Sequence, residues 1–99
     1  MALAQADIAF ATDLFSGLGH VTARKMFGGI CLYVDSTVFA LMSSDSTLYL
    51  KAKGDAAQAL IADGATQFHN MPYWSLPEAA LDDSREACTL ARRTFASLE

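Results

Sequence analysis

Charge is scarce in this chain: 18% of its 99 residues are Asp, Glu, Lys or Arg, against roughly 25% in ordinary soluble domains. Some apolar surface is therefore expected to remain for a partner. Of the charge present, the basic share is the smaller, with seven Lys and Arg against eleven Asp and Glu and a net charge of -4. Nucleic-acid binding needs concentrated positive charge to neutralise phosphates, so direct binding to nucleic acid is not expected. The basic residues come in pairs, Arg24-Lys25, Lys51 with Lys53, and Arg92-Arg93. Long apolar runs are missing as well. No stretch approaches the roughly 18 residues of a membrane span, and residues 1–8 lack the basic start of a secretory signal. The two cysteines, Cys31 and Cys88, fall on a predicted strand and a predicted helix in a chain that needs no covalent staple. They read as reduced thiols, which points to the cytoplasm.

Chemistry-bearing motifs are equally sparse. His20, His69, Cys31 and Cys88 show none of the C-x2-4-C or H-x3-5-H spacings by which one turn presents two ligands to zinc, so neither a metal site nor a cofactor is expected. Gly17-Leu18-Gly19 follows a helix rather than a strand and lacks the third glycine of a dinucleotide loop. Ser16 lacks the preceding glycine of a nucleophile elbow. Cys31, between Ile30 and Leu32, reads as a small core residue. In Asp82-Asp83 the second carboxylate reads as a helix cap and the first as solvated surface. With no nucleophile, acid–base pair or metal set to assemble, no catalytic residue is assigned and the chain is not expected to be an enzyme.

What is present is ample core material, 53% hydrophobic residues, enough for one domain over residues 1–99. Ala4, Ile8, Ala11 and Phe15 recur at helical spacing and predict an amphipathic helix over residues 4–16, closed by Gly17 or Gly19. Val21 to Phe27 alternates as a strand, with Val21, Ala23, Lys25 and Phe27 on one face and Thr22, Arg24 and Met26 on the other. Gly28-Gly29 supplies a two-residue primed turn or a bulge, followed by strands over residues 30–34, 38–42 and 47–51 separated by Asp35-Ser36 and by residues 43–46. Connections this short force an antiparallel meander. Strands two and three are apolar on both faces, Ile30, Leu32 and Val34 against Cys31 and Tyr33, then Val38, Ala40 and Met42 against Phe39 and Leu41. Helices are expected on one face, and the other is a candidate for self-association.

Asp55 is placed to cap a short helix over residues 56–62, with Ala57, Leu60 and Ile61 as its apolar edge and Gly64 as its stop. Residues 66–69 and 71–74 read as short β pieces around Asn70, the second at an edge because of Pro72. Ser75-Leu76-Pro77-Glu78 has the spacing of a capping box opening a short helix through Leu81. Asp83-Ser84-Arg85-Glu86 repeats it ahead of a last helix through Leu98, in which Cys88, Ala91, Phe95 and Leu98 recur on one face. The expected fold is α+β, in two layers: an antiparallel sheet of about four to six strands with an N-terminal helix and C-terminal helices packed mainly on one face.

In this order and spacing, Arg24-Lys25-Met26-Phe27-Gly28-Gly29-Ile30, Tyr33-Val34-Asp35, Phe39-Ala40, Leu48-Tyr49-Leu50-Lys51, Tyr73-Trp74, Leu76-Pro77-Glu78 and Leu81-Asp82-Asp83 resemble the N-terminal domain of the TfoX/Sxy family over nearly the whole chain. The resemblance implies a bacterial cytoplasmic α+β domain. Named members of the family are positive regulators of competence genes, acting alongside the cyclic-AMP receptor protein. Full-length regulators of the family carry a second, C-terminal domain, and by the resemblance the present chain is expected to be a stand-alone copy of the first. Where the family commonly has Asp-Gly after Val34, this chain has Asp35-Ser36. Because serine is less comfortable at positive φ, another turn type is expected there.

Two candidate sites follow. Arg24, Lys25, Phe27, Gly28, Gly29 and Tyr33 form a candidate interaction site, since arginine and aromatic residues are enriched at protein interfaces. The partner expected is a protein of the transcription apparatus, by the resemblance, or a second copy in a homodimer. His69, Tyr73 and Trp74 form a candidate small-ligand pocket, set against the plainer reading of aromatics covering a sheet edge.

Overall fold

The computed structural model describes residues 5–26 and 28–98. It is an α+β fold. One antiparallel sheet of five strands runs in sequence order, β1 (Val21–Met26), β2 (Gly29–Val34), β3 (Thr37–Met42), β4 (Leu48–Lys51) and β5 (Tyr73–Ser75). Helix α1 (Gln5–Leu14) precedes it, α2 (Gly54–Ala62) lies between β4 and β5, and α3 (Glu78–Leu81) and α4 (Ser84–Ala96) follow.

One face of the sheet carries the main core. Ile30, Leu32, Val34, Ala40, Met42, Leu48 and Leu50 pack there against Ala11, Leu14 and Phe15 from the N-terminal region and Ala87 and Ala91 of α4. The buried stripe of α4 is Ala87, Cys88, Ala91 and Thr94, all small, which lets the helix lie close to the sheet. Thr94 Oγ1 donates to Ala91 O at 3.1 Å, so its burial strands no hydroxyl. Of the apolar positions expected on the first helix, Ala11 and Phe15 are buried, and Ala4 lies outside the described residues. Phe15 meets Phe39 edge to face, with ring centroids 5.2 Å apart, a favourable arrangement of ring quadrupoles.

Phe39 corrects the sequence reading. Strict alternation puts it opposite Ala40 and Met42, but Leu32 pairs with Ala40 while Tyr33 pairs with Val38. The extra residue is a β-bulge at Phe39, which turns its ring into the helix-side core together with Ala40 and Met42 and leaves Val38 with Leu41 on the opposite face.

The turns show three further differences. Met26 pairs with Gly29, so Gly29 is the first residue of β2 rather than part of the turn; Gly28, at φ 81°, supplies the left-handed residue. Asp35 and Ser36 both take positive φ, 51° and 64°, as a type I′ turn requires. The hairpin twist therefore prevails over the preference of serine. At α2 the residue before the first turn is Lys53, with no side-chain cap, and Asp55 lies inside that turn. Ile61 is exposed instead of completing the apolar edge. The far end of α2 closes as expected: Gly64, at φ 92°, donates to Ile61 O at 2.9 Å, and Ala65 donates to Leu60 O at 3.0 Å, the pair of bonds of a Schellman motif.

The two capping boxes diverge. Asp83 caps α4, its Oδ1 accepting from the amides of Arg85 at 3.0 Å and Glu86 at 3.3 Å. Ser75 does not cap α3. It ends β5, its amide donates to Thr66 O and its hydroxyl accepts from Thr66 N, each at 2.9 Å, so Pro77 stands before the helix without a side-chain cap.

Candidate functional site

Helices cover one face of the sheet; the outer face is covered only in part, by the segment that runs from α2 to β5. In that segment Phe68 N donates to Tyr73 O at 2.9 Å and Met71 N to Phe68 O at 3.1 Å, closing a tight turn in which His69 takes φ 53°. The turn folds Phe68 onto a second apolar cluster made by Cys31, Leu41 and Tyr73, with Tyr33, Val38 and Tyr49 beside it. Phe68 lies 5.1 Å from Tyr49 and 4.4 Å from His69 between ring centroids.

Next to this cluster is a cavity of about 440 Å³, walled by Met26, Cys31, Leu41, Phe68, Met71 and Tyr73, with His69, Ser43 and Ser44 also on its lining. Its size and mostly apolar wall are those of a small-molecule or side-chain socket. Burial pushes the Cys31 thiol above its ordinary pKa, partly offset by the positive charge of Lys51. Burial likewise raises Tyr73, assisted by Cys31 and Tyr33. Both shifts favour the neutral form.

Towards the other end of the outer face, the Arg24 guanidinium stands 5.9 Å from the centroid of the Tyr33 ring, within cation–π range. Arg24 and Tyr33 line a more polar recess of about 500 Å³ together with His20, Thr22, Asp35 and Ser36.

The two sites expected from sequence are therefore each divided between the faces of the sheet. Arg24 and Tyr33 share the outer face, and Lys25, paired with Ile30, belongs to the helix side. Phe27 lies outside the described residues. Gly28 is exposed in the connection, and Gly29 is buried against β3, where a Cβ would overlap the Met42 carbonyl oxygen and stand 3.1 Å from Ser43 Cα. His69 and Tyr73 line the same cavity, but Trp74 pairs with Leu50 and packs on the helix-side core, its Nε1 buried without a hydrogen-bond partner. The strand period separates Tyr73 from Trp74, as two adjacent strand residues point to opposite faces.

Met26, Leu41, Phe68 and Met71 are cavity residues that motif reading passes over. The signal for Leu41 was the two-faced apolar character of strand three. Phe68 and Met71 carried none, because the turn that seats them is set by contacts with β5.

Among the described residues no group of three or more His, Cys, Asp and Glu is placed to hold a metal ion, and no helix is long and apolar enough to cross a membrane. Cys31 and Cys88 are both buried and free, on the outer face and on α4 respectively.

A family model described as the TfoX N-terminal domain matches residues 13–98, which span every element from the end of α1 to α4. No curated protein matches the chain.

Proposed function

Because the chain belongs to the TfoX N-terminal domain family, we propose that it is a non-enzymatic regulatory module working by protein–protein contact through the outer face of its sheet. The observation that carries this reading is the uneven cover of the two faces. Helices bury one, while the other presents an apolar wall and cavity flanked by an arginine stacked on a tyrosine. Apolar sockets ringed by Arg and Tyr are what the energetic centre of a protein interface is made of. The transcription apparatus is the partner class that the family suggests, and a second copy is the alternative occupant. The test is affinity capture with wild-type and Arg24→Ala baits. A partner retained by the first and lost by the second supports the face; identical partners on both baits remove Arg24 from it.

A second reading has its own support: His69 and Tyr73 share a cavity of small-ligand size. Under that reading the domain senses a metabolite, and its melting temperature rises with some member of a ligand panel. A flat response over the panel argues against it. Melting temperature is the appropriate readout, because Trp74, the single indole fluorophore, lies on the opposite face of the sheet. Direct DNA binding is the least favoured, given the net charge of -4; mobility shifts at low salt, where electrostatic binding is strongest, decide it.

A further inference from the structure

The wall of the outer-face cavity concentrates soft donors. The Cys31 thiol donates to the Met26 thioether sulfur at 3.6 Å across the β1–β2 pair, and the turn before β5 brings Met71 and His69 to the wall of the same cavity. We propose that this cavity is a binding site for a soft monovalent cation, Cu(I), held by the Cys31 thiolate and the Met26 thioether, with a third donor from Met71 or His69.

Three observations converge on this ion. The first is spacing. Two sulfurs bound at about 2.3 Å to one closed-shell ion sit roughly 3.8 Å apart at tetrahedral angles, so the 3.6 Å separation needs only a small adjustment. The second is donor type. Thiolate and thioether sulfur select Cu(I), whereas carboxylate and carbonyl oxygen suit hard ions; no carboxylate lines the cavity. The third is charge. The site is mostly apolar, and an uncompensated charge is costly to bury. One thiolate cancels one positive charge, so the Cu(I) complex is neutral, while a divalent ion on the same ligands would leave a net charge. Zinc is disfavoured by that argument as well as by ligand spacing in the sequence.

Binding forms Cu–S bonds to Cys31 and Met26 and breaks the Cys31 S–H bond, the proton passing to solvent. The copper arrives already as Cu(I), so no electron is transferred. Met26 is 41% exposed and Met71 38% exposed, whereas Cys31 lies deeper at 6%, so an incoming ion meets the two methionines before the thiol. That is the order of a handover in which the outer thioethers receive the ion and the thiolate retains it.

The experiment is an anaerobic titration with Cu(I) in competition with a chromogenic Cu(I) chelator, on the whole chain. Wild type is expected to withdraw one equivalent. Met26→Leu, at an exposed position that tolerates the change, is expected to weaken binding about tenfold, and Cys31→Ser about a hundredfold. Cys88→Ser, on the opposite side of the sheet against the Leu14 carbonyl, is expected to leave it unchanged. X-ray absorption at the copper edge on wild type is expected to show two or three sulfur scatterers, a readout that does not depend on any variant folding. Absence of Cu(I) withdrawal by wild type, a copper environment of nitrogen and oxygen only, or loss of binding in Cys88→Ser with retention in Cys31→Ser overturns the proposal. The proposal is independent of the protein-contact reading: failure of the capture experiment leaves the titration intact, and the reverse also holds.

Discussion

Of the glycines, Gly29 has the closest neighbours to an added Cβ. Its constraint is space and not backbone angle, since any side chain would run into the Met42 carbonyl oxygen at the end of β3 and the Ser43 Cα that follows it. Gly29→Ala is expected to cost about 3 kcal/mol, because rigid backbone must shift to admit the methyl group. Gly28→Ala, next to it, meets only Ser43's neighbour Ser44 at 3.6 Å but has φ 81°, and is expected to cost about 1 kcal/mol for the left-handed conformation. Urea unfolding of the two variants separates them; equal midpoints would remove the close-approach argument. Asp45 gives the pH dependence at this scale. The Ser43 hydroxyl first, and the Thr47 side chain and amide next, hold its carboxyl below the ordinary aspartate pKa. A depressed value in the folded state means that the turn between β3 and β4 is favoured above the pH at which a free aspartate ionises. That preference fades as the pH falls through the lower, folded value. Titration of the Asp45 carboxyl by NMR should show this depression, and Ser43→Ala should reduce it.

For whole elements, the contrast between the two helix starts shows what sequence spacing does and does not specify. Both have the pattern of a capping box, yet only Asp83 caps. Asp83→Ala is expected to destabilise by about 1 kcal/mol, and Glu78→Ala, whose reciprocal serine is engaged by Thr66, to stay within about 0.5 kcal/mol. Thermal or urea unfolding checks the pair, and a Glu78→Ala cost equal to that of Asp83→Ala would falsify the assignment. The strands and helices themselves were legible, because their signals are local: alternation, helical recurrence, and glycine after the last turn of α2. What sequence alone could not supply was the bulge at Phe39. Residues 38–42 are apolar at every position, so nothing in the run marks a change of face, and the extra residue is visible only in the pairing of β3 with β2.

In the whole molecule, the same limit explains the candidate site. The meander and its two-faced strands were readable from short connections and continuous apolar runs, and they pointed to an outer face in need of cover. Which residues meet on that face was not readable, because His69, Met71 and Phe68 reach it through a turn closed by backbone bonds to β5 and within the segment. Arg24 and Tyr33, joined in the expected interaction site, do share that face, but on neighbouring rungs: Arg24 pairs with Cys31 and Tyr33 with Thr22. Tyr73 and Trp74 are adjacent in sequence, which suggests one site, but the strand sends them to opposite faces.

The sheet is built almost wholly from neighbours in sequence, whereas α4 is fastened to the other end of the chain. Ser84 Oγ donates to Leu14 O at 2.7 Å and Arg92 Nη2 to Gly17 O at 3.0 Å, across 70 and 75 residues. In kinetic terms, the hairpins close small loops at little entropic cost and can form early. The α4 clasp closes the largest loop, and it is expected to form after the rate-limiting barrier. Ser84→Ala and Arg92→Met should then leave the refolding limb of a chevron nearly unmoved and raise the unfolding rate. A slower refolding limb in either variant would place the clasp in the folding nucleus instead.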